Sequence, residues 1–219
     1  MELRNGFVEY LKQNYPALSS ALDERPELVS ENLLSPFHVT LPKTILSRIE
    51  AAVRSIHELR RRISPSISER SHRDVVNPGN FSSMMSLDFH LDDERNLKLI
   101  EINTNAAFLI LGWEMYRFHG LENPVKNFSP PHWKTDLEEE MKLNRERFGR
   151  PSPPSPPFVS ISDEEPERQR LFVEFLVARE WIRSWGWKAD IRDFKDVTAF
   201  PRPDLVYNRS TDFYLEQAS

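Results

Sequence analysis

Residues 84–105 hold the pattern that most restricts the fold of this chain. Two short apolar runs, MMSLDFHL and LKLIEI, flank the polar turn Asp93-Glu94-Arg95-Asn96, which is the signature of a β-hairpin. Side chains alternate along a strand, so Glu101 and Asn103 point the same way. A four-residue loop pairing Asp92 with Leu97 sets Asp88 directly opposite Glu101. The other face then carries Leu87, Phe89, Leu91, Ile100 and Ile102, an apolar set suited to a core.

Like charges directly opposite one another across strands are destabilising. A hard divalent cation between Asp88 and Glu101 removes that cost, and Mg²⁺ takes oxygen ligands, commonly one or two carboxylates completed by water and phosphate oxygens. Asp88, Glu101 and the amide oxygen of Asn103 supply three such donors. The alternative is a solvated polar face on an amphipathic hairpin. A slip of one residue in register separates the two, because it moves Asp88 to the face opposite Glu101.

At 219 residues the chain is long enough for one large or two small domains. A net charge of −5 argues against a general nucleic-acid binder, whose affinity rests on neutralising phosphates. The chain has no cysteine, so neither disulfides nor thiolate metal sites contribute. Its first residues, MELRNGFVEYLKQNYPAL, are charged and amphipathic without an apolar signal core. No apolar run has membrane-spanning length. These features describe a soluble, cytoplasmic protein with no membrane partner.

Along the chain, a first helix is expected over Gly6–Asn14 and a long one opening at Pro42. The apolar stripe of the long helix is Ile45, Ile49, Val53, Ile56, Leu59 and Ile63, and Arg60-Arg61-Arg62 close it, where cations complement the helix dipole. Asn77-Pro78-Gly79-Asn80 signals a turn before the hairpin. Helices over Ala107–Phe118 and His132–Phe148 follow, the first with Phe108, Leu111, Met115 and Phe118 inward, the second with Trp133, Leu137, Met141 and Phe148 inward. The proline-rich run 151–157 reads as a stiff linker between region 1–150 and region 158–219. Beyond it come a strand at Phe158–Ile161, a helix capped by Asp163 with Pro166 in its first turn and ending at Gly186, and strands at Ala189–Ile191 and Asp204–Tyr207. The expected class is therefore α/β (α+β): N-terminal helices with an antiparallel hairpin, then a Rossmann-like βαβ unit. Ligands in open α/β sheets bind just past strand ends, which singles out Asn208, Arg209 and Asp212 as substrate or phosphate contacts, although Arg209 also suits an ordinary loop cation.

The pattern D-F, turn, K-L-I-E-I-N-T-N resembles the magnesium-binding hairpin of ATP-grasp ligases. The resemblance implies Mg²⁺ bound with ATP by Asp88, Glu101 and Asn103, a substrate contact at Asn105, and a pre-ATP-grasp type for the βαβ unit. The hairpin precedes the βαβ segment, an order similar to the circularly permuted members such as glutathionylspermidine synthase. Ala106-Ala107 departs from the small Gly- or Pro-containing turn of many ligases. The chain also lacks a glycine-rich phosphate loop: Gly112, Gly120, Gly149 and Gly186 are scattered after Asn105. The resemblance thus implies the first part of a longer or truncated ligase that joins a small carboxylate to an amine through an acyl phosphate, with the nucleotide-binding half elsewhere. The rivals are a non-catalytic binding or assembly module on the same scaffold, and a phosphoesterase using His90, Asp92 and Asp93 as further ligands.

Overall fold

The computed structural model describes residues 2–35, 37, 39–68, 84–125, 128–149 and 156–210. Asp212, the turn at Asn77-Pro78-Gly79-Asn80 and most of the proline-rich run lie outside them. The protein is a mixed α/β chain with one antiparallel and one parallel sheet among the described residues. It divides into two compact units, one of residues 1–36, 80–84 and 105–219, the other of residues 37–79 and 85–104.

In the larger unit, α1 spans Glu2–Asn14 and buries Phe7, Val8 and Leu11 at helical spacing. It begins four residues earlier than its apolar positions require. Pro16 then forces a 3₁₀ turn, Pro16–Leu18, that leads into the short α2, Ser19–Glu24. The helix after the hairpin, α4, covers Leu109–Phe118 rather than starting at Ala107. Phe108 sits in the left-handed region at φ 72° and so delays the helix. α5 runs Pro130–Phe148 with Trp133, Leu137 and Met141 buried, and Gly149 closes it at φ 58°. Phe148 points outward at 46% exposure, against the expectation: it is the last residue of the helix, and the Arg147 guanidinium lies 5.6 Å from its ring centre.

Three parallel strands follow: β3 (Phe158–Asp163), β4 (Lys188–Asp193) and β5 (Leu205–Asn208), in the order β4-β3-β5. The crossover from β3 to β4 is α6, Phe172–Ser184, which buries most of its residues. Asp163 does not cap this helix. Its Oδ1 accepts from the N–H of Glu164, and the chain turns through Glu165 at φ 41° into a separate 3₁₀ turn, Pro166–Arg168. Val159, Ile161, Ala189 and Tyr207 share the sheet face with α6 and the core. Trp133 is fully buried there, its ring within 6.1 Å of Trp181, 5.7 Å of Trp185 and 5.3 Å of Tyr207.

The smaller unit holds α3 (Lys43–Ser68) and the hairpin strands β1 (Ser86–Leu91) and β2 (Leu97–Asn103). Pro42 supplies the carbonyl that receives Ile45 and Leu46 N–H groups. Of the apolar stripe, Ile45 is buried, Ile49, Val53 and Ile56 are half-buried, and Leu59 is exposed. The helix continues to Ser68, so Arg60-Arg61-Arg62 do not sit in its last turn and the dipole argument for them fails. Arg61 and Arg62 instead reach Glu58, at 3.6 and 3.3 Å, across successive turns.

Candidate functional site

The hairpin pairs Asp88 with Glu101 and Ser86 with Asn103. The route to that register differs from the simple reading. Leu91 pairs with Leu97, so the loop Asp92–Asn96 has five residues rather than four. A β-bulge between Asp88 and Phe89 then shifts the pairing back by one, leaving Ile100 as the extra residue. The two differences cancel at Asp88. They do not cancel for the apolar set: Ile100 leaves the expected core face and is 66% exposed, while Leu97 and Leu99 join Leu87, Phe89, Leu91 and Ile102.

Ser86, Asp88, His90, Lys98, Glu101 and Asn103 therefore share the polar face. Asp88 and Glu101 are both exposed, and Asn103 is half-buried. Lys98 lies opposite His90 on this face and its ammonium is 3.7 Å from Asp92. Asp92 is taken up by the turn: its Oδ1 accepts the Asn96 N–H at 2.6 Å and its carbonyl receives Arg95, which adopts φ 61°. The Asn96 N–H holds the Asp92 carboxyl below the ordinary carboxylate range. Both Asp92 carboxylate oxygens accept from Asn96, Oδ1 from its N–H and Oδ2 from its Nδ2 at 3.1 Å. Among the described residues no three His, Cys, Asp or Glu side chains gather closely enough to hold a metal ion, so the hairpin's donor set is two carboxylates and an amide.

The second group of expected site residues meets at the carboxyl ends of β3 and β5, in the larger unit. Arg209 is buried, at 6% exposure. Its backbone N–H donates to the Ser162 carbonyl at 2.7 Å, and its Nη1 donates to Asn105 Oδ1 at 2.6 Å and to the Ala106 carbonyl at 2.8 Å. Asn105 Nδ2 in turn donates to the Ser210 carbonyl at 3.2 Å. Asn105 and Arg209 thus bind each other, and the guanidinium pins the segment that leads out of β2. Asn208 is exposed, and its Oδ1 accepts the Ser210 N–H.

Two buried carboxylates near Arg209 escaped sequence reasoning or were given another role. Glu174 on α6 is 4% exposed and accepts the N–H groups of Phe108 and Ile110 at 2.8 and 3.0 Å. A lone acid inside the apolar run LFVEFLV is the signal that could have found it. Burial pushes the Glu174 carboxyl above its ordinary value, opposed by the Phe108 N–H and the Arg209 charge. Burial likewise raises Asp163, opposed by the Glu164 N–H and by Arg209. A folded-state pKa above the unfolded value gives stability that is complete below the unfolded value and is lost as pH rises through the folded one. Stability carried by Asp163 is therefore expected to fall as pH climbs upward from 3.8. Urea midpoints measured across that window should slope less in Asp163→Asn than in the wild type. An unchanged slope would remove Asp163 from the account.

A further fully buried acid, Glu114 on α4, ties the helices together. Tyr10 and Tyr15 both donate to it, Trp181 Nε1 donates to the Tyr15 hydroxyl at 2.8 Å, and Arg117 Nη1 lies 3.4 Å away. Burial, with the neighbouring carboxylate, raises both phenols well above the usual tyrosine range.

No family model, curated protein or solved structure matches this chain. No helix among the described residues is long and apolar enough to cross a membrane.

Proposed function

We propose that this chain is part of an ATP-grasp-like, Mg²⁺-dependent carboxylate–amine ligase. The observation that carries the reading is the pairing of Asp88 with Glu101 on the face that also holds Asn103. Three oxygen donors fit a hard cation with positions left for nucleotide phosphates. Mg²⁺ held by these residues would neutralise phosphate charge during transfer. By the family's chemistry, ATP phosphorylates a small carboxylate and an amine displaces phosphate from the acyl phosphate. The parallel unit β3-α6-β4 with β5 is taken as the Rossmann-like, pre-ATP-grasp part. The chain has no glycine cluster, so the phosphate-covering loop is assigned to a further polypeptide segment. The reading belongs in the cytosol, where the absence of cysteine costs nothing.

Isothermal titration of the chain with MgCl₂ and with MgATP tests this. Binding is expected in the wild type and at least about tenfold weaker in Glu101→Gln, which keeps shape and removes the charge. A second reading, a non-catalytic binding or assembly module, is favoured by the exposure of both carboxylates and by Lys98 on the same face. It takes over if neither protein gives heat.

A further inference from the structure

The parallel sheet ends in β4, and a cleft of about 560 Å³ borders that strand. Its lining takes Asp190 from one face of β4, Ile191 and Asp193 from the other, Arg179 and Arg183 from α6 and the turn at residues 165–168, and nothing from β3 or β5. It therefore lies between α6, that turn and the outer edge of the strand. Among the described residues no strand pairs with this edge. The Ala189 carbonyl points outward, since Arg183 Nη2 donates to it at 3.1 Å. Backbone direction alternates along a strand, so the N–H and C=O of Ile191 point outward as well.

The cleft is electrically polar. Arg183, held on the Ala189 carbonyl near the start of β4, shares the single carboxylate of Glu180 with Arg179 one turn earlier on α6, at 3.1 and 3.0 Å, leaving one positive charge in excess. At the end of β4, Asp193, with Asp196 just past it, is answered by Lys195, 3.2 Å from Asp193.

We propose that β4 is a self-association edge: a second copy of the chain adds its own β4 antiparallel, about a two-fold axis at Ile191, joining two three-stranded sheets into one. The charges select this occupant and this direction. Antiparallel addition sets Arg183 of each copy, at the start of β4, against Asp193 and Asp196 of the other, whereas parallel addition sets like against like. The contact is isologous, so each favourable pairing occurs twice. Centred on Ile191, the pairing lets the two isoleucines exchange both backbone hydrogen bonds and places Asp190 opposite Arg192 of the second copy. Within one chain these two side chains pair at 2.7 Å, so the cross-strand pair replaces a contact already formed. The Ala189 carbonyl, now held by Arg183, receives the Asp193 N–H of the second copy, and Arg183 turns to that copy's carboxylates. The device stands independently of the metal reading.

The chain has no cysteine, so Ile191→Cys carries a single thiol on the axis. Opposed residues of a hydrogen-bonded pair have Cα atoms about 5.5 Å apart, inside the range a disulfide spans. Mild oxidation is expected to cross-link Ile191→Cys into a dimer, and wild type to sediment at twice the 25.8 kDa protomer mass. Asp193→Lys with Asp196→Lys should weaken association about tenfold or more, as should Arg179→Glu with Arg183→Glu, and mixing the two variants should restore it. A wild type that stays monomeric at roughly 100 μM overturns the proposal. So does a dimer indifferent to both charge reversals, or a folded Ile191→Cys that does not cross-link. If the charge variants fail to fold, the cross-link decides alone.

Discussion

Trp133→Ala is expected to lower the stability of the larger unit by about 3–5 kcal/mol, enough to unfold a marginal domain near body temperature. Trp133 is fully buried on α5 and touches rings from α6 (Trp181), the end of α6 (Trp185) and β5 (Tyr207). Removing it opens a cavity between helix and sheet that three large neighbours on separate elements cannot close together. The indole also carries a penalty of its own, because its buried Nε1 finds no hydrogen-bond partner among the described residues. Trp133→Phe therefore loses volume but relieves an unsatisfied donor, which is worth about 1–3 kcal/mol in a buried site. Urea unfolding followed by far-UV circular dichroism should rank wild type and Trp133→Phe close together and Trp133→Ala far below. If Trp133→Ala falls within about 1 kcal/mol of wild type, α5 is not a keystone of this core.

What the sequence discloses about this molecule depends on how far apart the deciding partners lie. The hairpin rests on alternation over neighbouring residues, so its existence was legible, whereas the pairing of Asp88 with Glu101 was reached only because the longer loop and the bulge cancel. The bulge at Ile100 was not legible, because one inserted residue changes neither composition nor periodicity. The order strand, helix, strand, strand after residue 157 was legible from short apolar runs and from Gly186, which adopts φ 79° between α6 and β4. The start of α4 was hidden. It is set by an acid 64 to 66 positions downstream, and nothing local marks it. Glu114 was hidden for the same reason, since its tyrosine donors lie 99 and 104 positions away. Arg209 was recognised as a residue worth naming, but spacing alone says nothing of the Asn105 and Ala106 oxygens that meet it across 103 or more residues.

Glu174→Ala should be nearly as damaging as the loss of Trp133, about 3–5 kcal/mol, for an electrostatic rather than a volumetric reason. The first N–H groups of any helix need acceptors from outside it. At α4 the N-cap position is Phe108, whose side chain has no oxygen and whose backbone is left-handed. The carboxylate of Glu174 supplies the missing acceptor from α6, taking the N–H groups of Phe108 and Ile110 while its charge complements the helix dipole. Truncation leaves those donors without their acceptor and deprives the buried Arg209 of a nearby negative charge, Asp163 remaining as another. Glu174→Gln keeps an acceptor and the shape, so it should cost less, about 1.5–3 kcal/mol for the lost charge on the hydrogen bonds. The pair Glu174→Leu with Arg209→Met should cost less than the sum of its single variants, because it removes the cation together with the anion that answers it. Strict additivity in that cycle would mean that Arg209 and Glu174 act on the 105–110 segment separately, and the account of a shared charge balance would fall.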